Sequence, residues 1–117
     1  MNPINFIVEH IEALVAATPQ LRSALPAVPG WIDYGLPSEF GPPTCVRLDG
    51  LFALDDKLNR YSVNVKLWSD DNSGGFFELV EAFRSALARS NSIAVQGYIH
   101  QPDEERNCAL FPVTFAA

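Results

Sequence analysis

Apolar residues first recur along this chain at helical spacing. Ile4, Ile7, Val8, Ile11, Leu14 and Val15 fall on one stripe of a 3.6-residue period. Asn2 suits the cap position and Pro3 the first helical position, so a helix is predicted from the start of the chain. Thr18-Pro19 repeats that cap-and-proline signal and predicts a short turn of helix through Leu25, ended by Pro26 and Pro29. Beyond these prolines the period drops to two.

Trp31-Ile32-Asp33-Tyr34, bounded by Gly30 and Gly35, reads as a short aromatic strand. The segment 36–44, with Pro37, Gly41, Pro42 and Pro43, reads as an exposed loop. Val46, Leu48, Phe52 and Leu54 then alternate with Arg47 and Asp49. A turn cluster at 55–59 leads into the cleanest strand of the chain, where Tyr61, Val63, Val65 and Leu67 face one way and Arg60, Ser62, Asn64 and Lys66 the other. These two runs predict a hairpin with one buried and one polar face. After Asp70-Asp71-Asn72-Ser73, the stripe Phe76, Leu79, Val80, Phe83 and Leu87 predicts the second long helix. Ser92 to His100 reads as one strand with a bulge at Gly97. Cys108 to Phe115 reads as another, and Pro112 argues that it is an edge strand or has one side free. The class is α+β: a mainly antiparallel sheet of about five strands with two helices packed on one face, in the order α-β-β-β-α-β-β, as a single domain over 1–117.

Charge narrows the function. With 8 Lys and Arg against 14 Asp and Glu, the formal charge is −6, which disfavours a nucleic-acid binder. A hydrophobic fraction of 48% with only 19% charged residues disfavours disorder and leaves apolar surface for a partner. Glu9 and His10 interrupt the first apolar run, so no signal peptide is expected, and no stretch approaches the length of a membrane helix. Cys45 and Cys108 are expected to be reduced and buried.

Catalytic and metal motifs are scarce. His10, His100, Cys45 and Cys108 lack any local ligand spacing, so a zinc or nucleophile site is not expected. Counting from Asp70, Asn72, Gly75 and Glu81 echo a calcium loop, but Gly74 stands where a ligand belongs and a helix-capping turn explains the same residues. Glu78, Glu81 and Arg84 have the spacing of a solvated ion-pair face, and 103–106 reads as a solvated turn. No cofactor, metal or enzymatic activity is expected. The more informative feature is aromatic surface: Trp31, Phe40, Trp68 and Tyr98 sit at strand ends, in the Pro/Gly loop, or opposite their strand's apolar set.

The order of elements carries a family likeness. A first helix ends near Thr18-Pro19-Gln20-Leu21. The strand Tyr61-Ser62-Val63-Asn64-Val65-Lys66-Leu67-Trp68-Ser69-Asp70 comes later, and then a helix from Phe77 through Ala86-Leu87. Together they resemble the tail terminator (tail-completion) proteins of long-tailed bacteriophages, in which a strand of the form x-Val-x-Val-x-Leu-Trp-Ser precedes such a helix. The residue pattern covers about 61–87, and the element order covers most of the chain. The loop at 35–44 carries no matching signature. The resemblance implies a non-enzymatic virion protein of the tail and neck, assembled in the host cytoplasm. It implies a homo-oligomeric ring, usually a hexamer, on the head-proximal end of the tail tube, which ends tube polymerisation and offers a docking surface to the head. The partners implied are further copies of the chain, the tail tube protein and a head-completion or neck protein, with no membrane and no sequence-specific nucleic acid. Another neck protein (head-closure or connector), or a small α+β dimeric enzyme or ligand-binding module, are the alternatives.

Exposure reasoning nominates Trp31, Phe40, Arg47, Trp68, Asp70 and Asp71 as ring contacts. Replacing Trp68 with Ala is expected to weaken assembly, measured as native mass, while circular dichroism shows an intact fold.

Overall fold

The alternation in Tyr61–Leu67 belongs to the middle strand of a sheet. In the computed structural model, which describes residues 2–25, 30–35, 42–55, 59–70, 75–102 and 106–117, the helices are α1 (Pro3–Ala16), α2 (Pro19–Ala24) and α3 (Gly75–Arg89). The strands are β1 (Ile32–Tyr34), β2 (Thr44–Asp55), β3 (Arg60–Ser69), β4 (Ile93–Val95), β5 (Ile99–Pro102) and β6 (Asn107–Ala116). They form one sheet in the order β1-β2-β3-β6-β4, with β5 also beside β6. All pairings are antiparallel except β1 with β2, so the class is α+β with a mostly antiparallel sheet.

One face of β3 carries the core. Leu67 lies between Val46 and Ala109, Val65 between Leu48 and Phe111, and Val63 beside Val113. All of these are buried, and they join Ile7 and Ile11 of α1, Leu21 of α2, and Phe76, Val80, Phe83 and Leu87 of α3 in one cluster. Phe83 meets Phe111 at 5.3 Å between ring centroids, and Phe6 stacks on Phe115 at 5.8 Å. The amphipathic stripes that predict the two long helices are thus the surfaces laid on the sheet.

The caps are partly as expected. The Asn2 side chain accepts from the Ile4 amide at 2.8 Å, closing the first turn of α1. Thr18 precedes α2 but makes no side-chain cap. Its buried hydroxyl donates to the Leu14 carbonyl at 2.8 Å and accepts from Arg89 Nη2 at 2.9 Å, tying the α1–α2 corner to the end of α3.

Four expectations are corrected. First, the sheet is six-stranded rather than five-stranded, because Ser92–His100 divides into β4 and β5. Val95 pairs with Val113 and Ile99 with Leu110, so three residues around Gly97 stand opposite two of β6. Second, the described residues hold three helices rather than two, the third being the short helix that Thr18-Pro19 predicts, now α2 at Pro19–Ala24. Third, β6 is not an edge: it pairs with β3 along its length and with β4 and β5 on its other side. Pro112 sits opposite the break between β4 and β5, where β6 has no partner on that side and the missing N–H leaves no ladder bond broken there.

Fourth, Phe52 and Leu54 do not join Val46 and Leu48 in the core. The register slips by one between Asp49 and Phe52, at Gly50. Gly50 has φ +65°, in the left-handed region, and a Cβ there would meet Asn64 Nδ2 at 2.9 Å. A one-residue bulge in a period-two strand exchanges its faces. Phe52 is consequently paired with the outward Ser62 and is 62% exposed.

Replacing Phe111 with Ala, at the centre of the core row, is expected to destabilise the chain by about 3–5 kcal/mol. A domain of this kind has only about 5–15 kcal/mol in total. The shift in urea midpoint at unchanged slope measures the loss.

Candidate functional site

The face of the sheet opposite the helices can be read row by row from the register. Cys45, Trp68, Cys108 and Gln101 lie side by side, and the next row is Arg47, Lys66, Leu110 and Ile99. Asp49, Asn64 and Pro112 form the third row, and Phe52, Ser62, Thr114 and Ala94 the fourth. Charge on this face is confined to the second and third rows, and the fourth row is uncharged.

At the closed end, Cys45 and Cys108 flank Trp68 on either side and both thiols are buried and reduced. One strand separates them, so their Cα atoms are about 10 Å apart, beyond the roughly 7 Å limit for a bridge. Burial raises the pKa of the Cys45 thiol, against the opposing charges of Arg47 and Arg106. A thiol held neutral in this way is inert. Arg47 is 5% exposed. Its Nη1 donates to the Val46 carbonyl and its Nη2 to the Gly30 carbonyl, both at 2.8 Å, so it fastens β2 to the chain entering β1. The Trp68 indole N–H is shut off from water and meets no acceptor among the described residues, while the rest of the ring is half-buried. Asp70 pairs with Arg106 at 3.2 Å and remains exposed.

In the middle, Lys66 Nζ pairs with Asp49 at 2.8 Å, and Asn64 Nδ2 donates to Asp49 Oδ1 at 3.1 Å. Burial pushes the Asp49 carboxyl up, but the hydrogen bonds from Lys66 and Asn64 and the lysine charge outweigh it and hold the pKa below its usual value.

At the open end, a groove of about 380 Å³ runs along the break between β4 and β5. Its lining includes Asn64, Ala94, Gly97, Ile99, Pro112 and Thr114, and no lining residue is charged. Ile99 is 56% exposed, and Phe52 adjoins the groove as the register partner of its lining residue Ser62.

Of the residues nominated from sequence, Arg47 and Trp68 are diagonal neighbours on adjacent strands, and Asp70 lies just beyond the end of β3. Trp31 is not with them. It is 8% exposed and packs in the core, so the exposure on which its nomination rested is absent, as it is for Arg47. Phe40 and Asp71 lie outside the described residues. Tyr98 is also not a free aromatic: its ring is 5.5 Å from Phe111 and its hydroxyl donates to Glu81. Phe52, Ile99 and the groove were missed. The available signals were Gly50 and Gly97, each interrupting an otherwise alternating run.

The other candidate chemistry stays apart. His10 is bonded to the Phe6 carbonyl in α1, and His100 to Asn107 beside the rings of Phe76 and Phe77, while the two thiols lie on the outer face. Glu81 pairs with Arg84 at 2.9 Å, forming the ion pair expected from their spacing. Residues 71–74 of the calcium-like loop lie outside the described residues, and among the described residues no group of three or more acidic, histidine or cysteine side chains is placed to hold a metal. No described helix is long and apolar enough to cross a membrane.

The Asp49 cluster predicts an acid-sensitive contribution to stability. Because the folded pKa lies below the unfolded one, the contribution is present above the unfolded value near 3.8 and is lost as pH falls through the folded value. The urea midpoint of the natural chain should exceed that of Asp49→Asn at about pH 7, and the gap should close toward about pH 2. A gap independent of pH would show that Asp49 acts through shape alone.

No protein-family model matches the chain. A search of curated proteins also matches nothing. Among solved structures, the chain is similar to the gp17 protein of bacteriophage SPP1, across 100% of this chain and 96% of that one, at 12% sequence identity and a TM-score of 0.46.

Proposed function

We propose that this chain is a non-enzymatic phage tail assembly protein, and that it forms a homo-oligomeric ring closing the head-proximal end of the tail tube. The observation that carries the proposal is the strand-then-helix pattern of residues 61–87, which resembles the tail terminator family and which lies in β3 and α3. Two further features support it. The sheet presents a broad face away from the helices with uncharged and apolar positions, as a contact surface requires. The net charge of −6 suits a ring through which DNA passes without being gripped. In this reading the partners are further copies of the chain, the tail tube protein and a head-completion or neck protein, and the location is the virion tail and neck.

Adding the purified chain to polymerising tail tubes tests the proposal. Electron microscopy with a gold-labelled antibody should show label at one end of each tube and an end to growth there. Label spread along the tubes, or none on them, would overturn the terminator role. Label on isolated head connectors instead would favour a head-closure protein.

A further inference from the structure

The groove at the β4–β5 break opens on the outer face of the sheet. Ser62 and Asn64 line it from β3, Pro112 and Thr114 from β6, and Gln96 and Ile99 from the two sides of the break. β3 is paired on both sides in these rows, so a guest there meets its side chains and not a backbone edge. Phe52 adjoins the groove as the register partner of Ser62. The volume of about 380 Å³ lies in the range of small-molecule sites, about 300–1,000 Å³.

The lining restricts the chemistry of a guest. No lining residue is charged and the chain carries −6, so an anion finds no cation there and a repelling field around it. A cation finds no carboxylate in the lining, and Asp49 nearby is held by Lys66 at 2.8 Å. The hydroxyls of Ser62 and Thr114 and the amide of Gln96 make no hydrogen bond to the described residues. Asn64 Nδ2 donates to Asp49, which orients that amide and leaves its carbonyl oxygen without a partner among the described residues. A purely apolar guest would strand these four groups away from water. Hydroxyls and amides both donate and accept hydrogen bonds, as the hydroxyls of a sugar do. Ile99, Pro112 and the exposed Phe52 ring supply apolar surface, and the face of an aromatic ring attracts polarised C–H groups.

We propose that this groove binds a neutral pyranose sugar, with its C–H face against Phe52 and Ile99 and its hydroxyls on Ser62, Asn64, Gln96 and Thr114. The site does not depend on the self-assembling reading above, and its test reads bound sugar rather than mass.

Saturation-transfer NMR on the natural chain, whatever its assembly state, tests the site with four probes: methyl glucoside, methyl galactoside, methyl mannoside and N-acetylglucosamine. At least one should receive saturation on its ring C–H protons and titrate to a plateau in the millimolar range. Phe52→Ala removes the aromatic face at an exposed position, and Thr114→Val removes a hydroxyl at nearly constant shape. Each should weaken that sugar about ten-fold, with an unchanged circular dichroism spectrum. If Thr114→Val loses its fold, Ser62→Ala takes its place. Gly97→Trp, at a position where a Cβ meets nothing within 4 Å, should fill the groove and abolish the signal. No plateau with any of the four sugars would overturn the proposal, as would folded variants that bind as the natural chain does. Tighter binding of glucuronic acid or of adenosine than of every neutral sugar would also overturn it, by showing a groove for an anion or a base. The self-assembling reading is untouched by each of these results.

Discussion

Everything in this molecule is registered against β3. It pairs along its length with β6 on one side and with most of β2 on the other, and its side chains alternate without interruption from Tyr61 to Trp68. A period of two leaves no freedom: once Val63, Val65 and Leu67 face the helices, Ser62, Asn64, Lys66 and Trp68 must face away. The neighbouring strands inherit those faces row by row. The core therefore depends on one strand's alternation, and so does the composition of the outer surface.

Departures from that rule are few, and they lie where the surface becomes distinctive. Gly50 admits one extra residue into β2 and exchanges the faces of the strand beyond it. Around Gly97 the strand breaks, and Pro112 stands opposite the gap. Each departure is a defect in pairing that a uniformly hydrogen-bonded sheet would not contain. Together they place an exposed phenylalanine on β2 beside an uncharged groove that its partner Ser62 helps to line. The ion-paired middle of the face, held by Lys66 and Asp49, and the closed end around Trp68 keep ordinary strand geometry.

The same distinction explains what was legible from sequence. The amphipathic stripe of α1, the alternation of β3 and the stripe of α3 are long periodic signals, and each marks its element. Of the two readings of Pro112, the edge strand fails and the free side holds locally, because a proline reports only that one N–H is missing and not how far the partner strands extend. Phe52 and Leu54 misled for a related reason: hydrophobicity argued for the core, while the backbone at Gly50 decided the face. Trp31 looked like surface because its strand is short and bounded by glycines, yet it is packed in the core. The burial of Arg47 was invisible in sequence, since its long-range partner, the Gly30 carbonyl, falls within its reach only after β1 has docked in parallel on β2.

The central claim is that this acidic subunit assembles with itself, and native mass tests it most directly. Light scattering after gel filtration, repeated over a wide range of loading concentrations, should show a ring several times the 12.9 kDa of the chain, or a shift from one subunit toward that ring as concentration rises. A tight dimer whose mass does not change with concentration would contradict the ring and turn attention to the groove as a ligand site.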